Sequence, residues 1–188
     1  MKLNKLDQSK YESDVVFIGH YENDGRKEYL QEVVRRGWRL RLFGPGYEWN
    51  SVISGCDLLS SQLPVQLVWG EDYNKAIAGS KIALCFFSKL NSDTYTRRCF
   101  EIPASKRVLL SEYSDDLANL FVPDKEVLLF KDLHDMGKKI EYCLSNPESL
   151  TSISKAGYER VWNSGHDVKS RMKELLSWVQ EHRNNLKI

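Results

Sequence analysis

The sequence lacks the features that would tie it to a membrane, to nucleic acid or to a secretory route. No apolar run approaches the roughly 20 residues that a membrane-spanning helix needs. The 27 basic and 26 acidic residues give a formal net charge of +1, so no positive field favours nucleic acid or anionic lipid. The first ten residues are polar, without the apolar stretch of a signal peptide. We therefore expect a cytoplasmic protein with no membrane span and no nucleic-acid partner.

Cysteine and histidine are scarce, and neither is spaced to hold a metal. The four cysteines lie far apart and form no Cys-x-x-Cys pair: Cys56, Cys85, Cys99 and Cys143. The four histidines show no ligand spacing either: His20, His134, His166 and His182. No acidic cluster resembles a magnesium site. We predict no metal and no redox dithiol, and free thiols agree with a reducing compartment.

What the sequence does contain is an alternation of short apolar runs with amphipathic segments. Six runs are typical of buried parallel strands: 15–19, 38–42, 65–69, 81–87, 107–110 and 127–130. Such alternation predicts a doubly wound, Rossmann-like α/β domain with a parallel sheet of about six strands. We assign residues 1–13 to a lead-in and 14–188 to this single domain, which ends in C-terminal helices.

The loop after the first predicted strand is the first candidate site. It runs from Gly19 to Lys27 and precedes a predicted helix. Backbone amides at the helix N-terminus, with Arg26 and Lys27, would suit phosphate. The loop matches neither the Gly-x-Gly-x-x-Gly nor the P-loop fingerprint. The alternative is a solvated first turn of a surface helix, where basic residues are common.

Residues 90–110 form the second candidate site, because two acids and two arginines crowd a short segment there. The acids are Asp93 and Glu101, and Arg97 and Arg98 lie between them. The segment follows a buried strand, and open α/β sheets bind ligands at the carboxyl ends of their strands. Arginines clamp phosphate and carboxylates accept hydrogen bonds from sugar hydroxyls. A phosphorylated, polyhydroxylated ligand would fit.

A helix over residues 94–104 would place Asp93, Arg97 and Glu101 on one face, at i, i+4 and i+8. The simpler interpretation of Asp93 is a helix N-cap. For Glu101 it is a surface ion pair with Arg97, worth at most a few tenths of a kcal/mol. Singly, each residue favours the simpler interpretation, whereas the set together favours a ligand site.

The same segment carries a family motif. Residues 94–104 read Thr-Tyr-Thr-Arg-Arg-Cys-Phe-Glu-Ile-Pro-Ala and resemble the Arg-x-Phe-Glu-Ile-Pro-Ala signature of CgeB-like, group 1 glycosyltransferases. Residues 14–21, 120–126 and 165–172 resemble flanking segments of the same family. The resemblance extends over about residues 14–179, nearly the whole chain.

The resemblance implies a GT-B fold in which this chain is the C-terminal, nucleotide-sugar-binding half. The activity implied is transfer of a sugar from a nucleotide-diphospho-sugar donor to an unknown acceptor. Glu101 would bind the ribose hydroxyls. Asp93, which stands where the family has glutamate, would act catalytically beside the transferred sugar. No metal or other cofactor is implied, because GT-B sites neutralise the leaving diphosphate with basic side chains and helix N-termini.

Both candidate loops contribute to the substrate-binding set that the resemblance implies. Its remaining members are Gly19, His20, Arg26, Lys27, Tyr95, Arg97 and Arg98. The basic residues among them would bind the diphosphate. At 105–107 the sequence Ser-Lys-Arg replaces the family's Cys-Gly-Gly, and its basic side chains face either the ligand or solvent.

An acceptor-binding half is absent from these 188 residues. We therefore expect either a fragment of a longer protein or a standalone half, with poor turnover by itself because catalysis by proximity needs both halves. The last predicted helix has an apolar stripe that requires a partner, whether its own domain, the other half or a second copy. Its members are Val168, Met172, Leu175, Leu176 and Val179. The alternative function is a non-catalytic nucleotide- or protein-binding module.

Overall fold

A five-stranded parallel sheet organises the computed structural model, which describes residues 3–183. The strands are β1 (Ser13–Ile18), β2 (Leu40–Phe43), β3 (Ser80–Cys85), β4 (Val108–Glu112) and β5 (Leu128–Phe130). Their order across the sheet is β2-β1-β3-β4-β5, and every neighbouring pair is parallel. The chain moves outward from β1 in one direction to β2 and in the other to β3. A crevice therefore opens at the carboxyl ends of β1 and β3, where the order reverses.

Helices alternate with the strands and cover both faces of the sheet. They are α1 (Lys5–Tyr11), α2 (Arg26–Arg35), α3 (Gly46–Ile53), α4 (Gly70–Gly79), α5 (Arg98–Ala104), α6 (Asp115–Leu120), α7 (Leu133–Ser145), α8 (Pro147–Asn163) and α9 (Val168–His182). Ser114 and Asp132 cap α6 and α7 by accepting hydrogen bonds from backbone N–H groups. This pattern confirms the predicted Rossmann-like, doubly wound class.

The two faces of the sheet carry separate apolar cores because side chains alternate along each strand. On one face Val15 and Phe17 of β1 pack with residues of α2, α3 and α7. On the other face Val16 of β1 packs with residues of α1, α4, α5 and α6. The core strands are buried on both sides, as their continuous apolar runs predict.

The prediction of six strands is wrong by one. Residues 65–69 do not form a strand but a single bridge, Phe43↔Gln66, beside the edge strand β2. The N–H of Leu42 donates to the side-chain oxygen of Gln62, 3.0 Å away. A side chain thus occupies a backbone donor of β2 that a further strand would have used. Helix α4 then begins directly at Gly70.

Three further segments are notable: the first ones differ from the prediction, and the last one has an exposed apolar face. The predicted lead-in contains α1, whose Tyr11 is fully buried against α4. The predicted helix over residues 94–104 begins only at Arg98. The apolar stripe of α9 is exposed to solvent along its length. Within residues 3–183, no helix is long and apolar enough to cross a membrane.

Candidate functional site

A cleft of about 260 Å³ lies at the carboxyl edge of the sheet, where the order of the strands reverses. Loops after β1, β2 and β3 form its walls together with the start of α4. Its lining residues are Ile18, Gly19, His20, Gly44, Pro45, Leu67, Val68, Trp69, Gly70, Tyr73, Arg97, Arg98 and Glu101. The structure thus brings together five predicted site residues from the two candidate loops.

Two glycines allow the loops after β1 and β2 to touch. A Cβ atom at Gly44 would lie 2.2 Å from the carbonyl oxygen of Gly19, closer than any side chain tolerates. The same carbonyl accepts a hydrogen bond of 2.9 Å from the indole of Trp49. The base of the cleft is therefore backbone, fixed by a buried tryptophan.

The loop after β1 presents His20 at the rim of the cleft. Its Nδ1 lies 2.9 Å from Oε1 of Glu48, and the imidazole remains 64% exposed. The backbone N–H of Tyr21 donates to the other oxygen of Glu48 over 3.0 Å. Burial alone would raise the pKa of Glu48, but the hydrogen bonds from His20 and Tyr21 outweigh it and hold the pKa below its ordinary value. Glu48 thus orients the histidine ring toward the cleft's edge.

Helix α5 carries the acid of the cleft, Glu101, on its first turn. The phenol of Tyr73, on α4, donates to Glu101 Oε2 over 2.6 Å. Arg97 Nε lies 2.8 Å from Oε1, which confirms the predicted ion pair, although Arg97 is 86% exposed. Burial, followed by the carboxylate of Glu101, raises the pKa of Tyr73 above its ordinary value. Tyr73 therefore remains protonated and donates to Glu101 throughout the neutral range.

Arg98 is the second basic residue in the cleft. It is half-buried, on the first turn of α5, and makes no ion pair within residues 3–183. Its charge lacks a protein counter-ion in the part of the chain that the structure describes. A half-buried cation without a carboxylate partner favours an anionic ligand.

Arg26 does not reach the cleft, because its side chain is only 4% exposed and each of its three nitrogens is hydrogen-bonded to protein. Its guanidinium donates twice to the carboxylate of Asp24, over 2.8 and 2.6 Å. It also donates to the carbonyls of His20, at 2.7 Å, and Phe87, at 3.4 Å. Arg26 thereby joins the backbone after β1 to the backbone after β3.

Three other predicted residues lie outside the lining of the cleft. Lys27 donates to the carbonyl of Val52, 2.9 Å away, at the end of α3. Tyr95 is exposed and packs edge-on against Phe100, with ring centroids 6.0 Å apart. Asp93 lies in the loop between β3 and α5, where its N–H donates to the carbonyl of Ser88.

The predicted common face of Asp93, Arg97 and Glu101 does not form. The hydroxyl of Ser114 binds the carbonyl of Thr94, which holds this part of the loop against the start of α6. Helix α5 consequently begins after Arg97, which is its N-cap residue in place of Asp93. Both the shared-face prediction and the N-cap interpretation of Asp93 are wrong.

The basic residues at 106 and 107 point away from the cleft. Lys106 Nζ lies 4.4 Å from the ring centroid of Tyr158, on α8. The guanidinium of Arg107 donates to the carbonyl of Ala78, near the end of α4. Both residues lie at the amino edge of the sheet, and they contact protein groups instead of a ligand in the cleft.

Sequence reasoning missed lining residues from two segments: Leu67, Val68 and Trp69 lie in the run predicted as a strand, and Tyr73 lies on α4. Tyr73 binds Glu101, and Leu67 and Trp69 form an apolar wall whose indole is 73% exposed. An exposed tryptophan directly before a helix start is the one signal that could have indicated this wall. Within residues 3–183, no group of three or more His, Cys, Asp or Glu side chains is placed to hold a metal ion.

The fold and the cleft define a Rossmann-like α/β domain with a polar site at its carboxyl edge. The chain belongs to the glycosyl transferase-like family, whose model matches residues 26–177. A search of curated proteins finds no match.

Solved structures of glycosyltransferases share the fold. The C-terminal domain of LpcC, a group 1 glycosyl transferase from Francisella tularensis, superposes with a TM-score of 0.66 at 13% identity, over 88% of this chain and 94% of that one. HepE from Anabaena, in complex with UDP-glucose, gives a TM-score of 0.73 at 10% identity, over 95% of this chain and 54% of that one. A glycosyltransferase from Rickettsia africae gives 0.72 at 13% identity, over 95% and 52%.

These matches confirm that the chain has the fold of one half of a GT-B glycosyltransferase. It spans about half the length of the HepE and Rickettsia africae proteins. Their identities are too low to carry residue roles across, and they do not distinguish the CgeB-like subgroup, which stays a prediction.

Proposed function

We propose that this chain is the donor-binding domain of a GT-B glycosyltransferase and that its cleft holds a nucleotide-diphospho-sugar. The observation that carries the proposal is the meeting of an acid, Glu101, with cationic Arg97 and Arg98 in one cleft of a glycosyl transferase-like domain. HepE, which shares the fold, was crystallised with UDP-glucose. A ligand with both hydroxyl and phosphate groups uses both kinds of side chain.

Each part of the cleft suits one part of such a donor. Glu101 accepts from a ribose hydroxyl. Arg97, Arg98 and His20 lie within the same cleft and neutralise the diphosphate. The exposed indole of Trp69 offers an apolar face on which a nucleobase can stack. Gly19 lets the backbone approach the ligand without a side chain between them.

We propose that cationic side chains stabilise the leaving diphosphate, as the resemblance implies, without a resident metal. The N-terminus of α4 also opens on the cleft, at Gly70, and adds a favourable dipole. We propose no direct role for Arg26 and Lys27, because Arg26 is bonded to Asp24 and Lys27 donates to the carbonyl of Val52, outside the lining of the cleft. They support the fold of the loop that carries His20.

Asp93 and Tyr95 lie on the loop before α5, outside the lining of the cleft. We propose that this loop faces the donor sugar and that Asp93 acts there once the acceptor-binding half is in place. Within residues 3–183 the carboxylate of Asp93 makes no hydrogen bond or ion pair. It therefore remains available to a ligand.

The proposal places the acceptor site on a second half, either on the same chain or on another. The solved relatives that superpose over 95% of this chain are about twice as long. The exposed apolar stripe of α9 is the surface that we expect to meet that half, or a second copy. We further propose a cytoplasmic location.

Titration with UDP, GDP and ADP by calorimetry tests the donor site. We expect millimolar or tighter binding of at least one nucleotide. Glu101→Ala should weaken it at least about tenfold, the value of a hydrogen bond to a charged group. Glu159→Ala is the matched control, since Glu159 is exposed on α8 and, among the residues that the structure describes, pairs only with Lys155. Absence of binding to all three nucleotides would contradict the proposal.

The second candidate function is a non-catalytic nucleotide-binding module. It is favoured by the position of Asp93, which replaces a glutamate and does not line the cleft. A transfer assay with the parent protein or a partner half separates the two functions. Nucleotide binding without transfer would support the module.

A further inference from the structure

The carboxylate of Glu101 accepts from two donors, which hold it with different strength. The phenol of Tyr73 lies 2.6 Å from Oε2, on a helix packed into the core. A short hydrogen bond from a hydroxyl to an ionised carboxylate is among the stronger kinds. Arg97 lies 2.8 Å from Oε1 but is almost fully exposed, and an exposed pair of this kind contributes little. Oε2 is therefore fixed, whereas Oε1 is exchangeable.

The supports of Tyr73 explain why its hydroxyl is well placed. Its ring packs against the same core as Ala76 and Ile77, which are buried on the next turn of α4. The lining of the cleft includes both Tyr73 and Glu101, so the hydrogen bond lies in the wall that a ligand would contact. The phenol thus links α4 to α5 across the cleft.

We propose that Tyr73 is a positioning residue that turns Glu101 so that Oε1 alone is offered to a hydroxyl of the donor's ribose. This inference rests on the proposed donor-binding function. A ribose hydroxyl displaces Arg97 from Oε1, and the freed guanidinium turns to the diphosphate. The cleft thereby selects a nucleotide that carries both ribose hydroxyls and phosphate.

Loss of the phenol has a specific consequence. In Tyr73→Phe, Oε2 of Glu101 loses the hydrogen bond that fixes it, so the carboxylate can rotate. Arg97 can then pair with either carboxylate oxygen. Affinity for a nucleotide with ribose hydroxyls falls. A nucleotide without those hydroxyls makes no contact with Glu101, and its affinity is preserved.

The experiment is a calorimetric comparison of two ligands on three proteins. The ligands are the tightest binder among UDP, GDP and ADP and its 2′,3′-dideoxy analogue. The proteins are the wild type, Tyr73→Phe and the matched control Tyr142→Phe, which removes an exposed phenol of α7, outside the lining of the cleft. Both ligands are measured on the same sample, so partial loss of folded protein would affect both equally.

We expect the wild type and Tyr142→Phe to prefer the ribonucleotide by about tenfold, as a hydrogen bond to a carboxylate predicts. In Tyr73→Phe this preference should fall to about threefold or less, through weaker binding of the ribonucleotide alone. Equal weakening of both ligands, an unchanged preference, or no preference in the wild type would overturn the inference while leaving donor binding intact. If the wild type binds none of the three nucleotides, the proposed function fails and this inference fails with it.

Discussion

Arg26 and Arg98 follow neighbouring strands at the same edge of the sheet, and the sequence predicts a phosphate ligand for both. Arg26 is buried and bonded to Asp24 and to two backbone carbonyls. Arg98 lines the cleft and pairs with no acid within residues 3–183. The difference lies in the nearest acid: Asp24 stands two residues before Arg26 and bonds to it directly. A basic residue near a phosphate site is available to the ligand only where the protein does not neutralise it first.

The largest effect that tests this comparison is on stability, from Arg26→Met. The change leaves the carboxylate of Asp24, whose side chain is only 10% exposed, without its partner and the carbonyls of His20 and Phe87 without this donor. We expect the free energy of unfolding to fall by about 3 kcal/mol or more, as for other broken buried pairs. Urea unfolding followed by circular dichroism measures it. Arg35→Met, at an exposed position of the same helix, should cost less than about 1 kcal/mol. An equally small loss of unfolding free energy for Arg26→Met would contradict its structural role and would make Arg26 a cation that is available to a ligand.

The converse test is Arg98→Met, which should act on the ligand and not on the fold. We expect nucleotide affinity to fall about tenfold, because a charge-assisted contact to phosphate is lost. The free energy of unfolding should change by no more than about 0.5 kcal/mol. Calorimetry and urea unfolding on the same protein provide both values. A loss of stability with unchanged affinity would make Arg98 a structural residue like Arg26.

The dependence of stability on acid pH tests the pairing of Asp24 with Arg26, which has no counterpart at Arg98 within residues 3–183. Burial raises the pKa of this carboxyl, but the hydrogen bonds and charge of Arg26 outweigh burial, so the folded pKa lies below the ordinary 3.8. A lowered pKa gives stability that is complete above the unfolded value and is lost as the pH falls through the folded value. Below pH 4, the free energy of unfolding should therefore fall less steeply with pH in Asp24→Asn than in the wild type. The two slopes should differ by up to about 1.4 kcal/mol per pH unit. Equal slopes would show that Asp24 is not held by Arg26.

The smallest effect is expected at Lys27, the other engaged basic residue of the first loop. Lys27→Ala removes one hydrogen bond to the carbonyl of Val52 and should cost about 0.5–1 kcal/mol of stability. Nucleotide affinity should stay within twofold of the wild type, because the side chain lies outside the lining of the cleft. A larger loss of nucleotide affinity would indicate that Lys27 binds the ligand, as the resemblance implies.

The fold could be predicted largely because burial and caps are local signals. The apolar runs of β1, β3 and β4 are buried on both faces, and Ser114 and Asp132, residue types that favour the N-cap position, cap α6 and α7. The extra strand was predicted because residues 65–69 are also apolar. Whether such a run joins a sheet depends on its neighbour, and here Gln62 occupies a donor of β2. That contact is tertiary and has no signature in a window of a few residues.

The cleft could be predicted only in part for the same reason. The resemblance and the charge pattern located Glu101 and the two arginines beside it. Tyr73 stands 28 residues before Glu101, and nothing local links the two. The predicted helix over residues 94–104 would put Asp93 at its N-terminus, whereas the carbonyl of Thr94 binds Ser114 and the helix begins only at Arg98. Sequence pattern therefore identified which residues carry charge, whereas the fold decided which of them share a surface.

The engagement of Arg26 has a kinetic consequence for the cleft. Its guanidinium joins the carbonyls of His20 and Phe87, so the loops after β1 and β3 are tied together before any ligand arrives. Loops that are already ordered need no conformational step during the encounter, and diffusion with orientation then limits the rate. A nucleotide should enter this half in a single kinetic step. In the proposed two-half enzyme, any slow step would then belong to the closing of one half upon the other.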